Sequence, residues 1–423
     1  MTKFTDHLGR PVVAVTGIGV VTSLGVGKKD NWEALTAGKS GIHPITRFPV
    51  DHLNTRIAGT VDFLASSSKG ASALTYELAE TAAEEAVAEA GLAIDDFGGP
   101  LFLASPPVEL DWHDRLALYR NGDDKPAPDR LLEVARNLNS LEMFDSSQFA
   151  TIADRLADRF GATGLPITLS TACASGATAI QLGVEAIRRG EANRALSIGA
   201  DGSATAEALI RFSLLSALST SNDAPEKASK PFSKDRDGFV LAEGSAALVL
   251  ESLEAATARG ATVLGIIRGC GEKADDFHRT RSKPDASPAI AAVRAALDDA
   301  GLGEDGIDYV NAHGTSTPEN DKMEHLSLST VFGEHINRML VSSNKSMIGH
   351  TLSAAGAIEA AFSIMTMREG VIPPTINYDN PDPAITFDVV PNVKREAEVR
   401  TVLSNSFGFG GQNTCLVMAR EPV

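Results

Sequence analysis

Ser170-Thr171-Ala172-Cys173-Ala174-Ser175-Gly176-Ala177-Thr178-Ala179-Ile180 decides the fold, because the chain uses its pattern twice. Pro166 to Ser170 reads as a short strand. Small residues then turn the chain, and Ala174 to Arg189 reads as a helix with an Ile180, Val184, Ile187 stripe, ended by Gly190. Further on, Ser353 through Ala357 and Ile358 echoes Ser175 through Ala179 and Ile180, at a spacing of about 178 residues. Other echoes flank this one. Ala291, Ala292 through Ala300, Gly301, Leu302 repeats Ala82, Ala83 through Ala90, Gly91, Leu92, and Leu416-Val417-Met418 repeats Leu248-Val249-Leu250. Ala-rich helices align by chance, so each match alone is weak. Their shared order is what predicts a duplicated domain, two topologically equal halves facing each other across a pseudo-dyad.

Around this core, strand-length apolar runs alternate with helical stretches, which predicts an α/β protein. Val12 to Val21, Ala246 to Leu250 and Val263 to Arg268 read as strands, and Leu74 to Ala90 as a helix. The first half is expected to span 1–255 and the second 256–423. The first carries an inserted region at about 105–150, which includes the charged stretch Glu109 to Asn139 and its Lys125-Pro126-Ala127-Pro128 run. Insertions of this kind form loops, lids or subunit contacts.

The whole chain has 423 residues, 43% hydrophobic and 22% charged, as an ordinary globular protein does. Its formal charge of -17 argues against nucleic-acid and anionic-membrane binding, though a local basic patch can survive inside it. Three cysteines cannot build a disulfide framework, so a reducing, cytoplasmic location is expected. Met1 to Arg10 has no apolar run resembling a secretory signal. The best membrane-span candidate, Ile348 to Met367, contains His350 and Glu359 and reads better as a buried helix.

Four motifs could carry chemistry. At the first turn, Cys173 stands at a helix start, where free N–H groups and the helix dipole favour thiolate, and its small neighbours leave room for a substrate. A small buried cysteine packing at a helix start is the competing reading. Cys270 and Cys415 sit in strand-like runs and read as packing residues. The second motif, Val310 to Pro318, runs a strand into small polar residues with His313 at its end. The third, Ser343 to His350, occupies the second-half counterpart of the cysteine turn, so the repeat places His350 almost opposite Cys173. The fourth, Ser404 to Gly411, alternates Gly and Phe, as an apolar gate or an oxyanion-binding turn would. Gly17-Ile18-Gly19 lacks the third glycine of a dinucleotide site. Glu84-Glu85 and Asp298-Asp299 read as solvated helix faces. No metal-ligand spacing is visible.

Taken together, Cys173, the Asn311-Ala312-His313-Gly314-Thr315-Ser316-Thr317-Pro318 run and the Lys345 to His350 run resemble the β-ketoacyl-acyl carrier protein synthases of the I/II type. Asp235-Arg236-Asp237-Gly238-Phe239, Gly370 to Pro383 and Ser406 to Gly411 support the resemblance, which covers nearly the whole chain. It implies a thiolase-like fold with layered α-β-α-β-α architecture, usually as a homodimer. It also implies an acyltransferase of fatty-acid elongation that joins an acyl-enzyme to malonyl-carrier by decarboxylative Claisen condensation. In that reading Cys173, His313, His350 and Lys345 are catalytic: Cys173 takes the acyl chain, the two histidines stabilise the enolate, and Lys345 orders the site. The N–H groups of Cys173 and Phe409 form the oxyanion hole. Phe409, between Gly408 and Gly410, gates the acyl pocket. Glu324 and Glu359 are supporting acids, and Thr315 and Thr317 bind the pantetheine arm. No cofactor is required, because phosphopantetheine arrives on the acyl carrier protein. Some members hold a structural monovalent cation where Asn311, Glu359 and Ser404 lie; no metal is assigned here.

The sequence also departs from the family pattern. Ala104-Ser105-Pro106-Pro107 replaces a glycine-rich loop. Ser66-Ser67-Ser68-Lys69-Gly70 keeps one cation of a basic carrier-docking cluster, Ser221 stands where a docking arginine is common, and Gln412 replaces a usual Thr or His. Docking of an acidic carrier should therefore rest on some local cationic patch and weaken with salt. The competing readings are a non-elongating, chain-length-factor-like partner, which lacks the nucleophile, and another acyltransferase of the thiolase superfamily.

Overall fold

The computed structural model describes residues 4–107 and 141–421, with a few isolated positions between them. The stretch Glu109 to Asn139 and its Pro-rich run lie outside the described residues, apart from those positions. Ten strands make the body of the sheet. They are β1 (Val13–Thr22), β2 (Leu101–Ala104), β3 (Ile167–Leu169), β4 (Arg194–Asp201), β5 (Gly244–Ser252), β6 (Gly265–Ala274), β7 (Tyr309–Asn311), β8 (Leu340–Ser342), β9 (Thr401–Phe407) and β10 (Gln412–Ala419). Across the sheet they run β8-β7-β9-β10-β6-β1-β5-β4-β2-β3, and Gly25–Val26 pairs with β1 off this path.

Adding five to each strand of the first half gives the second half, in mirrored spatial order. The directions agree as well: β2 pairs in parallel with β3 and β4, β7 pairs in parallel with β8 and β9, and β5 and β10 are antiparallel to both of their neighbours. The halves join through antiparallel β1 and β6, over Val13 to Val15 only.

Strand alternation sorts the side chains into layers. Leu101 and Leu103 face outward, onto helix α1 (Ala71–Glu89), with Leu74, Leu78 and Ala82. Phe102 and Ala104 face inward, onto helix α2 (Ser175–Arg188), with Ile180 and Val184. The second half repeats this, with α3 (Ser287–Ala300) and α4 (Pro318–Phe332) outside and α5 (Ala355–Glu369) inside, against α2. The result is the α-β-α-β-α layering expected from the resemblance.

Glycines set the helix distances. A Cβ on Gly176 would lie 2.5 Å from Ala357 N, and one on Gly356 would lie 2.5 Å from Ala177 N, so α2 and α5 cross backbone to backbone. Gly17 and Gly19 admit the carbonyls of Ala86 and Ala82, and Gly269 and Gly271 admit those of Ala296 and Ala292. The Gly17-Ile18-Gly19 run is thus a packing device, as is its counterpart in the second half.

The acidic pairs need a correction. Glu85 accepts the Val20 N–H and Glu89 the Ile18 N–H, each at 2.9 Å, and Asp299 accepts the Cys270 N–H at 2.8 Å. β1 and β6 separate after three residue pairs, and their freed N–H groups would otherwise be buried without acceptors. Of the four residues read as solvated, Glu85 and Asp299 therefore do structural work. The helix read over Ile348 to Met367 begins later, at Ala355, and is buried almost throughout. No helix among the described residues is long and apolar enough to cross a membrane.

Candidate active site

After β3 the chain turns sharply. Ala172 takes φ 49°, a left-handed conformation that costs a non-glycine residue about 1–2 kcal/mol. Ser175 holds the turn: its Oγ accepts the Thr171 N–H at 2.8 Å and donates to the Ala172 carbonyl at 2.6 Å. Cys173 is thereby fixed two residues ahead of α2, whose N-cap, Ala174, has no side-chain cap. The β9–β10 turn lies against it. A Cβ on Gly408 would sit 2.9 Å from Thr171 O and 3.3 Å from Cys173 N. The Phe409 and Cys173 N–H groups lie where they favour negative charge at the cysteine.

The thiolate expected from the helix start is overridden. Burial pushes the Cys173 thiol up to about 11, against the lowering effects of the Phe409 N–H and the Lys345 cation. The resting sulfur is a thiol at neutral pH. Alkylation of Cys173 by iodoacetamide, followed by mass spectrometry, should therefore climb about tenfold per pH unit from 7 to 10, because only the thiolate reacts. A plateau below pH 9 would mean that a resident imidazolium holds a thiolate. Cys270, pushed by burial up to about 12, and Cys415, pushed higher still, remain protonated packing residues.

His313 lies just past β7. Glu324 of α4 clamps its loop by accepting the His313 and Gly314 N–H groups at 2.8 Å each, and Asn405 donates to the same carboxylate at 3.0 Å. Burial raises the Glu324 carboxyl above its ordinary range. Lys345 is almost wholly enclosed. Its Nζ donates to the His313 carbonyl at 2.8 Å, pairs with Glu359 Oε1, and lies 3.4 Å from His313 Nδ1. An ammonium has no acceptor, so Nδ1 must be the accepting nitrogen and Nε2 carries the proton. Burial, with the Lys345 charge, holds His313 and His350 well below the usual imidazole value, so both rings are neutral. Burial also raises the Glu359 carboxyl to about 7, against the pull of Lys345.

His350 follows Gly349, whose φ of 77° turns the short helix Lys345–Ile348 toward the cleft. The His350 N–H donates to Val240 O at 2.7 Å, and its ring meets Phe239 edge to face. The symmetry differs slightly from the sequence match. The N-caps Ala174 and Ala354, and the crossing glycines Gly176 and Gly356, place the halves 180 residues apart, not 178. The counterpart of Cys173 is then Ser353, whose N–H donates to Asp201. His350 reaches the cleft from three residues upstream, ahead of the 3-10 turn Leu352–Ala354.

These elements converge. Cys173 Sγ and a ring nitrogen from each of His313 and His350 lie within 4.8 Å of one another, all buried. Such a trio can ligate a metal, but the Lys345 ammonium beside His313 already supplies the site's positive charge. Asn311 Oδ1 and Glu359 Oε2 are buried acceptors without partners, so these oxygens fit the monovalent cation that some family members hold there.

A single cavity joins Cys173, His313 and His350 to Thr315, Thr317, Phe407, Gly408 and Phe409. Thr315 and Thr317 bond to each other at 2.9 Å, and the Thr317 hydroxyl also accepts the Asn320 N–H at the start of α4. Phe409 packs toward Phe212, within an apolar cluster that includes Leu209, Phe239 and Leu352. Gly410 takes φ 88°, and its N–H donates to Arg279 O. Gln412 leaves the cleft and donates to Glu272. Ser221 donates to Asp237. Phe407 stood inside the fourth motif without an assigned role, and it packs on His313; sequence reasoning missed the loop 275–283, which lines the cavity. Phe239 stood inside a quoted motif, but nothing in the sequence aimed its ring at His350.

The sequence model for "Beta-ketoacyl synthase, N-terminal domain" matches residues 10–256, and that for "Beta-ketoacyl synthase, C-terminal domain" matches 264–379. The chain is 38% identical to 3-oxoacyl-[acyl-carrier-protein] synthase 2 of Coxiella burnetii, over 96% of this chain and 98% of that protein. It is also 38% identical to the tetracenomycin polyketide synthase ketoacyl synthase alpha subunit of Streptomyces glaucescens, over 98% of each. Among solved structures, a type II polyketide ketosynthase, in complex with its acyl-carrier protein and bound to a hexaketide, superposes with a TM-score of 0.87. That match has 31% identity and covers 97% of this chain and 99% of that one. The chain belongs to the β-ketoacyl synthase family and is a condensing acyltransferase of the thiolase-like fold.

Proposed function

We propose that the protein is a β-ketoacyl-acyl carrier protein synthase of fatty-acid elongation, with Cys173 as nucleophile. The observation that carries this reading is the convergence of Cys173 with two neutral histidines and two backbone N–H groups in one buried cleft. In the first stage the Cys173 sulfur attacks the thioester of an acyl-carrier. The carrier's sulfur leaves and takes the proton that Cys173 gives up. The N–H groups of Cys173 and Phe409 stabilise the tetrahedral oxyanion. In the second stage malonyl-carrier loses carbon dioxide, and the electron pair of the broken C–C bond forms an enolate. His313 and His350 donate to the enolate oxygen. The enolate carbon attacks the acyl-Cys173 carbonyl and expels the cysteine sulfur, which takes a proton from solvent. Neutral rings suit this role, because a neutral N–H stabilises the enolate without protonating it.

In the same reading Lys345, Glu324 and Glu359 position the histidines, and Thr315 and Thr317 receive the pantetheine arm. No cofactor is required beyond the phosphopantetheine on the carrier. We place the protein in the cytoplasm, where its three free cysteines stay reduced. We assign it a homodimeric state. Among the described residues β3 ends the sheet with one strand neighbour, and Ile167 in it and Leu165 just before it are exposed, so a second copy can continue the sheet there. A chain-length-factor-like role is disfavoured by the intact nucleophile.

Incubation with acyl-carrier should add the acyl mass to Cys173, and later addition of malonyl-carrier should release a β-ketoacyl product. An adduct without product would sink the elongating role.

A further inference from the structure

The loop between β6 and α3 is tied down at both ends. Asp275 accepts the Phe277 N–H at 2.9 Å and the Lys283 N–H at 2.8 Å, and its own N–H donates to Gly411 O at 2.7 Å. Arg279 O accepts the Gly410 N–H at 2.7 Å, which joins the loop to the turn that covers Cys173. The two arginines of this loop, Arg279 and Arg281, are exposed and line the same cavity as Cys173, with Thr280 between them. Neither guanidinium has a carboxylate or carbonyl partner among the described residues. Arg10, Arg47, Arg159, Arg188, Arg236 and Arg259, by contrast, all bind carboxylates. Asp275 is committed to the loop's backbone. Glu319, the other carboxylate lining the cavity, is exposed at the start of α4 and disfavours an anion on that side. The rim is therefore welcoming to an anion at 279–281.

We infer that Arg279 and Arg281 form a phosphate clamp for the phosphodiester of the carrier-borne pantetheine arm, an inference that rests on the condensing reading above. A guanidinium fork matches two phosphate oxygens, which an ammonium cannot do. With the arm's sulfur end at Cys173 and its hydroxylated chain beside Thr315 and Thr317, its phosphate end comes to the mouth. A clamp there supplies the local positive charge that Ser66 to Lys69 and Ser221 do not.

The test uses the full chain and unacylated probes, so that it does not require turnover. Phosphopantetheine and pantetheine are compared as protectors of Cys173 against iodoacetamide. The wild type should be half-protected by phosphopantetheine at a concentration about tenfold or more below that of pantetheine. Arg279→Ala/Arg281→Ala should erase this preference while leaving pantetheine protection and the unprotected alkylation rate unchanged. Arg279→Lys/Arg281→Lys should restore part of it. Equal protection by both probes in the wild type, or a preference that survives the double alanine variant, overturns the clamp. So does a variant that loses affinity for acyl-carrier but keeps it for free phosphopantetheine, since the arginines would then touch the carrier's protein surface. Failure of acyl-carrier to label Cys173 would sink the condensing reading and leave the protection result standing by itself.

Discussion

Replacing Cys173 with serine is expected to lower kcat/KM for condensation by about three orders of magnitude or more, about 4 kcal/mol of transition-state stabilisation. The magnitude follows from the site. A serine hydroxyl is far less acidic than a thiol and a far poorer nucleophile, and His313, whose Nδ1 faces the Lys345 ammonium, has only a protonated Nε2 left to offer it. Covalent capture should vanish with turnover, so intact-mass measurement after incubation with acyl-carrier should show no adduct. The fold should survive, since the Ser175 staple and the α2–α5 crossing do not involve the sulfur. An adduct that persisted on Cys270 or Cys415 would overturn the assignment. Both are buried in strands with thiols pushed far up by burial, which makes them poor competitors.

The fold was legible because a duplicated architecture writes itself twice. Ala82, Ala86, Ala292 and Ala296 are small because their carbonyls touch glycine-bearing strands, and that need repeats wherever the layer repeats. The same smallness blurred the register. Alanine and glycine runs align at several spacings, so the inner helices seemed 178 residues apart where their caps and crossing glycines lie 180 apart. Cys173, His313 and His350 were legible as residues, and their convergence was legible in outline from the repeat. What the sequence could not show were the consequences of burial. The Cys173 proton affinity depends on the Gly408–Phe409 turn that closes over it from the far end of the chain. Glu85 and Asp299 looked like solvent-facing acids, because nothing local announces that β1 and β6 part after three residue pairs and leave N–H groups to satisfy. Loop 275–283 carries no motif, and its place at the cavity mouth comes from hydrogen bonds to Gly410 and Gly411.

The second stage depends on how the two histidines are held, and this sets the next largest expected effect. His313→Ala or His350→Ala should each reduce decarboxylation of malonyl-carrier by about 10²–10³, the usual loss for one preorganised oxyanion donor. Acylation of Cys173 should fall much less, because its oxyanion is bound by backbone N–H groups that neither substitution removes. The two rings are not equivalent. His313 has its tautomer fixed by Lys345 at 3.4 Å and its loop fixed by Glu324, whereas His350 Nδ1 is buried without a partner. For His350, a proton on Nε2 leaves only a lone pair unsatisfied, and a proton on Nδ1 would bury an unpaired donor, which is the costlier arrangement. Both rings thus favour Nε2–H, His313 by a specific bond and His350 by elimination. Lys345→Met should then impair decarboxylation mainly through His313, and it should add little to His313→Ala in the double variant. Carbon dioxide release and acyl-enzyme formation, measured separately, distinguish these outcomes. Normal decarboxylation in both single histidine variants would remove the enolate-stabilising role from the site, and full additivity of Lys345→Met with His313→Ala would remove the lysine's role as the residue that sets the ring.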